Sequence, residues 1–532
     1  MTPDYDVVIA GGGLAGLTLT RQLHLEAPRL RVLVCEKRQH PVPEAAFKVG
    51  ESSVEIGAHY FQRVLGLEPL LCRDHLPKLG LRYFFPSGEN RDLARRVELG
   101  ATGFPRVPSY QLDRGRLENS LLRMVRDEGA EVLDGCAVQR IGLDRAGHTV
   151  TVTTPRGART VQTRWLVDSS GRAGLLKRQL GMSRPSTHRA NASWFRVADR
   201  VRVDDWSDDP AWRARVPSAQ RWLSTNHLMG TGYWVWLIPL GSGSTSFGIV
   251  ADAALHPFHR LNRFDRALDW LREFEPQCAE VVAPYADRLE DFRALQHFAH
   301  GCTRVFSPDR WAMTGESGVF TDPFYSPGSD FIALGNDFVT DLIIRDLGGE
   351  DVAARAEAFN TMHLRLFDAF IRLYDGQYPL MGNAQVMTAK VAWDNAAYWS
   401  VTALLFFQRR FRQLEFMAAI DPLLRRFFVL HARMQQLFHA WGRVDTGTYG
   451  DARANVLDVE RLRQLQDGLD DPLMDDAALR ERLERNCAWL ESFARSWQAM
   501  AAAQDPALGR YVPTAGGADG ADIGPLCYTP RN

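Results

Sequence analysis

The sequence predicts an α/β protein: a split α/β domain, a β-sheet domain inserted into it, and a mostly α-helical C-terminal domain. Residues 5–36 follow the order strand, glycine turn, helix, strand. Strand-like runs are frequent in residues 190–300, and apolar residues recur every three or four positions after Gly349. We therefore place the split domain at residues 1–180 and 305–348, the inserted sheet at 181–304 and the helical domain at 349–532.

Composition limits the partners of this chain. Its 63 basic and 64 acidic side chains give a formal net charge of −1, which offers no attraction for nucleic acid or an anionic membrane. The longest apolar stretch, residues 396–407, is too short to cross a bilayer. The seven cysteines and fourteen histidines show no metal-ligand spacing. We expect a cytoplasmic protein with no transmembrane segment, no nucleic-acid partner and no metal site.

A Gly-x-Gly-x-x-Gly turn is formed by Gly11, Gly13 and Gly16, between a buried strand pattern and a helix pattern. Its glycines let the backbone approach a pyrophosphate, whose charge then meets the helix N-terminus. Glu36 ends the next strand, where a carboxylate can accept hydrogen bonds from ribose hydroxyls. This order predicts a Rossmann-like dinucleotide site, although a glycine triplet alone also occurs in ordinary turns.

Three further segments resemble flavoprotein monooxygenases built like p-hydroxybenzoate hydroxylase. They are residues 110–114 (YQLDR), 166–172 (LVDSSGR) and 314–328 (TGESGVFTDPFYSPG). The resemblance covers about residues 5–345 and implies that the dinucleotide is FAD. The cofactor-binding residues that it implies are Gly11, Gly13, Leu14, Ala15, Gly16, Glu36, Lys37, Val49, Gly50, Arg114, Val138, Asp168, Gly315, Glu316, Pro323 and Gly328.

Within that superfamily the chain is most similar to the flavin-dependent halogenases. Residues 49–52 (VGES) match the strap segment that touches the flavin in those enzymes. Residues 78–83 (KLGLRY) resemble the Lys-x-Gly-x-x-Phe segment of the phenol- and pyrrole-type members, with Tyr83 in place of the Phe. Residues 232–239 (GYWVWLIP) match the Trp-x-Trp-x-Ile-Pro signature, which is the most specific of the three.

The signature places Trp234, Trp236 and Ile238 at alternating positions of a predicted strand, so their side chains share one face. Such a stripe fits the core of a sheet equally well. The resemblance favours a second interpretation, in which the stripe is a wall between flavin and substrate.

Lys78 is the catalytic residue that the resemblance implies. In the family, reduced FAD and oxygen give a C4a-hydroperoxide, halide attacks it, and the hypohalous acid is relayed by a lysine. A buried amine can lose its proton and hold the halogen, whereas a guanidinium cannot. Only five of the 63 basic residues are lysines, so Lys78 is a notable choice. The alternatives are an ordinary surface lysine at position 78 and a relay through Lys48.

The sequence departs from the family at three positions. Glu316 stands where an aspartate usually meets the ribityl chain. Pro327 has no N–H to offer in the loop whose amides bind halide, which leaves Gly328 and Ser329 as candidate halide ligands. Tyr325 occupies the position of the indole-type catalytic glutamate, which argues against a tryptophan-halogenase mechanism.

The sequence thus predicts a reduced-FAD-dependent halogenase of an electron-rich aromatic, either a phenol or a pyrrole, free or tethered to a carrier protein. No second dinucleotide fingerprint is present, so we expect a separate flavin reductase as partner. One alternative is an FAD-dependent monooxygenase or dehydrogenase on the same scaffold, without halide binding. The other is a non-catalytic FAD-binding protein, because a fold alone does not assign an activity.

Overall fold

The chain divides into two units, each assembled from three stretches of sequence. The structure is a computed structural model that describes residues 3–45, 48–512 and 521–528. Unit 1 comprises Met1–His75, Leu112–Ser186 and Ala299–Asp368. Unit 2 comprises Leu76–Gln111, Thr187–Phe298 and Ala369–Asn532.

Unit 1 is built on a seven-stranded sheet whose central strands are parallel and buried on both faces, as their continuous apolar runs require. In spatial order six of its strands are Glu131–Asp134, Val32–Glu36, Tyr5–Ala10, Gly157–Asp168, His148–Thr154 and Val138–Gly142. Trp311–Met313 is the seventh and pairs in parallel with Gly157–Asp168. Ser183–Pro185 and His300–Cys302 form a separate two-stranded sheet.

The helices of unit 1 follow the strands in the alternation typical of nucleotide-binding folds. They are Leu14–Glu26, Glu55–His59 with the π-helical turn Tyr60–Val64, Glu68–Asp74, Arg114–Asp127, Leu175–Gln179, Gly328–Leu347 and Ala353–Ile371, the last of which ends just past the boundary of the unit.

Unit 2 contains an eight-stranded, mostly antiparallel sheet. Its spatial order is Leu289–Leu295, Ala190–Val197, Thr245–Asp252, Tyr233–Pro239, Thr225–Gly230, Leu81–Phe84, Glu98–Leu99 and Arg453–Ala454. Leu76–Pro77 and Tyr110–Gln111 pair separately. One face carries an apolar cluster that includes Val235, Phe247 and Trp270. The other face carries Trp234, Trp236 and Ile238, because successive strand residues point to opposite faces.

The helices of unit 2 include three that contribute to its apolar cluster and a C-terminal set. They are Pro210–Ala214, Phe264–Phe274, Pro276–Val282, Ala384–Ala397 with the π-helical turn Tyr398–Thr402, Ala403–Phe407, Leu414–Trp441, Glu460–Asp467 and Asp476–Gln504.

The predicted α/β class with a helical C-terminal region is confirmed, but the structure draws its boundaries elsewhere. Residues 76–111 belong to unit 2 rather than to the first domain, because Leu81–Phe84 pairs in parallel with Thr225–Gly230. The inserted sheet and most C-terminal helices share one unit, where the sequence suggested two domains, and residues 349–368 fall in unit 1.

Three further properties concern the described part of the chain. No helix there is long and apolar enough to cross a membrane. No group of three or more His, Cys, Asp or Glu side chains among those residues is placed to hold a metal ion. All seven cysteine thiols are free.

Candidate active site

The glycine turn of unit 1 leaves no room for a side chain at Gly11 or at Gly16. Gly11 has a φ of +122°, and a Cβ there would lie 2.4 Å from the Ser169 carbonyl oxygen. A Cβ on Gly16 would lie 2.0 Å from the Gly11 carbonyl oxygen. Leu14 and Ala15 begin the first helix directly after Gly13, whose N-cap position makes no side-chain hydrogen bond. The amides of this helix N-terminus therefore remain available for an anion.

Glu36 closes this turn from the neighbouring strand. One oxygen of its buried carboxylate accepts the Gly12 N–H at 2.7 Å, and the other accepts the Arg38 N–H at 2.8 Å. The Cys136 N–H donates to the Glu36 carbonyl at 2.8 Å, which brings the start of the strand at Val138 close to it. Lys37 is exposed. Glu36 and Val138 thus lie in one part of unit 1, beside the glycine turn, where the sequence predicts the ribose of a dinucleotide.

The strap segment is tied to the helix Arg114–Asp127. The Arg114 guanidinium donates to the Val49 carbonyl at 2.8 Å and to the Glu118 carboxylate at 2.7 Å. Gly50 has a φ of +90°, and a Cβ there would lie 2.9 Å from the same guanidinium. Arg114 thus fixes the course of the strap.

Lys48 forms an ion pair with the second oxygen of Glu118. Burial alone would raise the pKa of Glu118, but the positive charges of Lys48 and Arg114 outweigh it and hold that pKa below its usual value. The Lys48 ammonium is also 3.4 Å from where a Cβ on Gly13 would lie. Lys48 therefore stands beside the glycine turn as a paired cation, which does not favour it as the relay.

Asp168 and Gly315 shape the loops at the ends of two neighbouring strands. The Asp168 carboxylate accepts the N–H groups of Ser170 at 2.9 Å and Leu176 at 2.7 Å, and burial raises its pKa. Gly315 has a φ of +62°, and a Cβ there would lie 3.0 Å from the Ala15 Cβ. Asp168 is thus occupied by its own loop.

The side chain of Glu316, which follows Gly315, is half-buried. Its main-chain carbonyl oxygen lies 3.0 Å from the His300 Nε2. Glu316 and Gly315 thus stand together at the end of the strand Trp311–Met313, where the sequence predicts contacts to the cofactor.

The loop before the helix Gly328–Leu347 is the candidate halide site. The Ser326 N–H donates to the Pro323 carbonyl at 2.9 Å, and Pro327 is the helix N-cap. Gly328 and Ser329 are the first two helical residues, whose N–H groups have no acceptor within the helix. A Cβ on Gly328 would meet no atom within 4 Å. The Ser329 hydroxyl, on a residue only 8% exposed, has no hydrogen-bond partner among the described residues.

The structure revises the expectation for Pro327. From the sequence, its missing N–H suggested that one halide ligand is lost. As an N-cap it precedes the two amides that point out of the helix end, so the proline leaves both in place.

The tryptophan wall, formed by Trp234, Trp236 and Ile238, lies in unit 2 on the strand Tyr233–Pro239. The rings of Trp234 and Trp236 lie 5.7 Å apart at 43°. Trp234 Nε1 donates to the Tyr378 hydroxyl at 3.0 Å, and Trp236 Nε1 to the Ser246 hydroxyl at 3.2 Å. A Cβ on Gly248 would lie 2.1 Å from the Trp236 ring, so glycine is required opposite it. Both indole planes are thus fixed.

Lys78 precedes the strand Leu81–Phe84 and is only 1% exposed. Its N–H donates to the Ser109 carbonyl at 2.9 Å, and the next N–H, of Leu79, donates to the Leu223 carbonyl at 3.0 Å. The alternative of an ordinary surface lysine is therefore wrong.

Three polar groups near these residues escaped the sequence analysis: Tyr378, Glu118 and His227. Each contacts a residue that is distant from it in the sequence. Glu118 pairs with Lys48, the Tyr378 hydroxyl accepts from Trp234, and His227 lies opposite Tyr83 in the sheet. The strand of His227, TNHLMG, does not alternate polar with apolar residues, so it offered no local signal.

The FAD-binding domain family model matches residues 4–242. The flavin-dependent halogenase chlA of Dictyostelium discoideum is 28% identical over 446 residues, covering 75% of this chain and 70% of that protein. The 1H-pyrrole-2-carbonyl-(peptidyl-carrier protein) chlorinase of Pseudomonas fluorescens is 25% identical over 350 residues, covering 61% of this chain and 72% of that protein.

Solved structures show the same fold. The halogenase PltM in complex with phloroglucinol and FAD matches 92% of this chain and 96% of its own, with a TM-score of 0.65 and 16% identity. A flavoprotein/dehydrogenase from Cytophaga hutchinsonii matches 73% of this chain and 88% of its own, with a TM-score of 0.58 and 18% identity. The fold is thus shared by proteins described as halogenase and as dehydrogenase.

Proposed function

We propose that this chain, whose sequence is similar to those of flavin-dependent halogenases, is an FAD-dependent enzyme that halogenates an electron-rich aromatic compound. We further propose that Lys78 carries the halogen to the ring. The burial of Lys78 is the observation that carries this proposal. A chain that uses arginine for nearly all of its basic positions places a lysine where the halogen must be held. A buried amine reaches the neutral, nucleophilic form more readily than a guanidinium does.

The residues of unit 1 fit FAD. The glycine turn provides an uncapped helix N-terminus for the pyrophosphate, and a Cβ at Gly13 would enter the space in front of it. Lys48 adds a positive charge there, and Glu36 offers its carboxylate at the ribose end. Further candidate contacts to the cofactor are Gly50, Gly315 and Glu316. Reduced FAD, when bound, supplies with oxygen the oxidising equivalents that turn halide into an electrophilic halogen.

We assign the halide to the N-terminus of the helix Gly328–Leu347. The Gly328 and Ser329 amides carry the positive end of a 20-residue helix dipole, and the partnerless Ser329 hydroxyl can donate a further hydrogen bond. The open space at Gly328 leaves room for an anion. Halide binding is the property that separates this proposal from the monooxygenase and dehydrogenase alternatives.

The tryptophan wall has the role of keeping the substrate from the oxidant until the halogen has reached Lys78. Two indoles held by hydrogen bonds cannot swing aside as freely as unbonded rings. Direct hydroxylation of the substrate is then disfavoured.

The test is incubation with FAD, a flavin reductase, NADH, bromide and a panel of phenols and pyrroles. We expect brominated product by mass spectrometry. In Lys78→Met we expect product to fall by roughly 100-fold, as for the loss of a catalytic group, while oxygen consumption and peroxide release continue.

Lys390→Met is the matched control. Lys390 is another fully buried amine of unit 2, paired with Asp394 at 2.8 Å. We expect it to lower stability without changing the ratio of brominated product to peroxide. Unchanged bromination in Lys78→Met removes Lys78 from the mechanism. A wild-type product heavier by one oxygen establishes the monooxygenase alternative, and bound FAD without turnover establishes the non-catalytic one.

Two partners belong to the proposal. A separate flavin reductase supplies reduced FAD, because the sequence carries a single dinucleotide fingerprint. Relatives from Pseudomonas fluorescens and Pseudoalteromonas luteoviolacea are named for pyrroles bound to a peptidyl-carrier protein. Assaying a free pyrrole against the same pyrrole loaded on a carrier protein decides between free and tethered substrate.

A further inference from the structure

His227 lies on the wall face of the unit 2 sheet, although no motif points to it. It belongs to the strand Thr225–Gly230, which pairs with the strand of Trp234 on one side and with that of Tyr83 on the other. The imidazole is 5.3 Å from the Trp234 ring and stacks on Tyr83 at 4.8 Å and 21°. It is only 1% exposed. A titratable ring therefore lies on the same face of the sheet as Trp234.

The hydrogen bond of His227 fixes its tautomer. Its Nδ1 is 3.0 Å from the Arg82 carbonyl oxygen, which can only accept, so Nδ1 carries the hydrogen. In the neutral ring the lone pair then resides on Nε2. The backbone bond thus orients the ring, and Nε2 is the nitrogen that can accept a proton.

A base of this kind accelerates the halogenation of a phenol. Removal of the phenolic proton raises the electron density of the ring, and the indole-type glutamate position holds Tyr325 in this chain. Tyr83 does not meet the need: burial, and then the nearby Asp394 carboxylate, raise the pKa of Tyr83 well above its usual value, so its hydroxyl keeps its proton.

Building on the proposed halogenase function, we propose that His227 is the general base for a phenolic substrate. The phenol O–H bond breaks and its proton moves to Nε2. The ring carbon then bonds to the halogen of an N-halo ammonium at Lys78, and the N–halogen bond breaks with its electron pair returning to nitrogen. The resulting dienone loses its ring proton to the Lys78 amine, and His227 returns a proton to the oxygen. The halogen enters already oxidised, so no further oxidant is required.

The chain contains a matched control in His256. This histidine is also buried in unit 2, and its Nε2 is 3.0 Å from the Thr231 carbonyl oxygen. Its Nδ1 accepts a hydrogen bond from Trp270 Nε1 at 3.2 Å. His256 packs edge-on against Tyr233, so it lies with the apolar cluster and away from the wall.

The experiment compares two phenols in wild type, His227→Asn and His256→Asn. 4-Methylphenol is not ionised at mildly alkaline pH, whereas 4-nitrophenol largely is. Asparagine keeps a donor for the Arg82 carbonyl but is not a base. We expect His227→Asn to lose roughly 100-fold with 4-methylphenol, as for the loss of a general base. We expect a loss of no more than a few-fold with 4-nitrophenol, and unchanged oxygen consumption.

Each outcome has one meaning. His256→Asn should lower the melting temperature and leave the ratio of the two activities unchanged. Equal losses on both phenols in His227→Asn, or no loss on either, overturn the role of His227 while halogenation by the wild type upholds the proposed function. Should His227→Asn not fold, His227→Gln is measured in the same way. A wild-type protein that halogenates pyrroles but no phenol overturns the role of His227, whereas one that halogenates no member of the phenol and pyrrole panel overturns the proposed function itself.

Discussion

At the scale of single residues, this chain buries three of its five lysines. Lys78, Lys177 and Lys390 are each no more than 7% exposed. Lys177 donates to the Gly318 carbonyl at 3.0 Å and Lys390 to Asp394 at 2.8 Å, and burial lowers the pKa of both. Burial lowers the pKa of a lysine ammonium, so it can lose its proton, whereas a guanidinium stays charged. The sequence shows that lysine is scarce, and the structure shows that three of the five lysines are buried.

The ion pairs of Glu118 make a stability prediction. We expect Glu118→Gln to lower the free energy of unfolding by about 3 kcal/mol, because it leaves the Lys48 and Arg114 charges without their buried partner. The pKa of Glu118 is depressed in the folded state, so its contribution is present above the usual glutamate pKa of about 4.3 and is lost as pH falls through the lowered value. Denaturant titrations across this range measure both effects.

Glu357→Gln is the control for that measurement. Its pair with Arg304 spans 2.7 Å, but the two side chains are 49% and 31% exposed. An exposed pair contributes about 1 kcal/mol or less. Equal destabilisation by the two substitutions, or a Glu118→Gln deficit that persists unchanged in acid, would contradict the assigned role of Glu118.

At the scale of elements, local signals succeed and long-range pairing does not. The sequence predicts the first strand, turn and helix, and the strand that carries Trp234, because periodicity and glycines act within a few residues. The pairing of Leu81–Phe84 with Thr225–Gly230 joins segments more than 140 residues apart and has no local signature. The start of the helix Gly328–Leu347 directly after Pro327 is set by backbone geometry, which the sequence pattern does not reveal.

The glycine turn makes a prediction that separates folding from cofactor binding. Gly13→Ala should leave the melting temperature of the FAD-free protein near that of wild type, because the nearest atom to the new Cβ is the mobile end of Lys48 at 3.4 Å. The same methyl group enters the space in front of the helix N-terminus, so FAD affinity should fall roughly tenfold or more. Fluorescence titration with FAD measures the affinity.

Gly11→Ala is its counterpart at the same turn. The added methyl group would lie 2.4 Å from backbone at a φ of +122°, so both stability and FAD binding should fall. Normal FAD affinity in Gly13→Ala would show that the pyrophosphate does not approach this glycine.

At the scale of the whole molecule, the two units carry different parts of the proposed chemistry. Unit 1 holds the glycine turn, the strap and the helix end assigned to halide, whereas unit 2 holds the wall, Lys78 and His227. The sequence names most of these residues but assigns Lys78 to the first domain. Residues 76–111 lie between two stretches of unit 1, and only their strand pairing with residues 225–230 shows that they belong to the sheet of unit 2.

The distribution of the five lysines over the molecule makes a last prediction, which tests the burial of Lys78 in solution. Brief acetylation of the native protein should modify the exposed Lys37 first and Lys48, with a side chain 25% exposed, more slowly. Lys78, Lys177 and Lys390 should react only after denaturation, because a reagent cannot reach an enclosed amine without local opening. Peptide mass spectrometry gives the order, and Lys37→Arg removes the fastest site as a control. Bound FAD should slow the reaction of Lys37 if that residue contacts the cofactor. Rapid acetylation of Lys78 in the native protein would contradict its enclosure and with it the assignment of Lys78 as the halogen carrier.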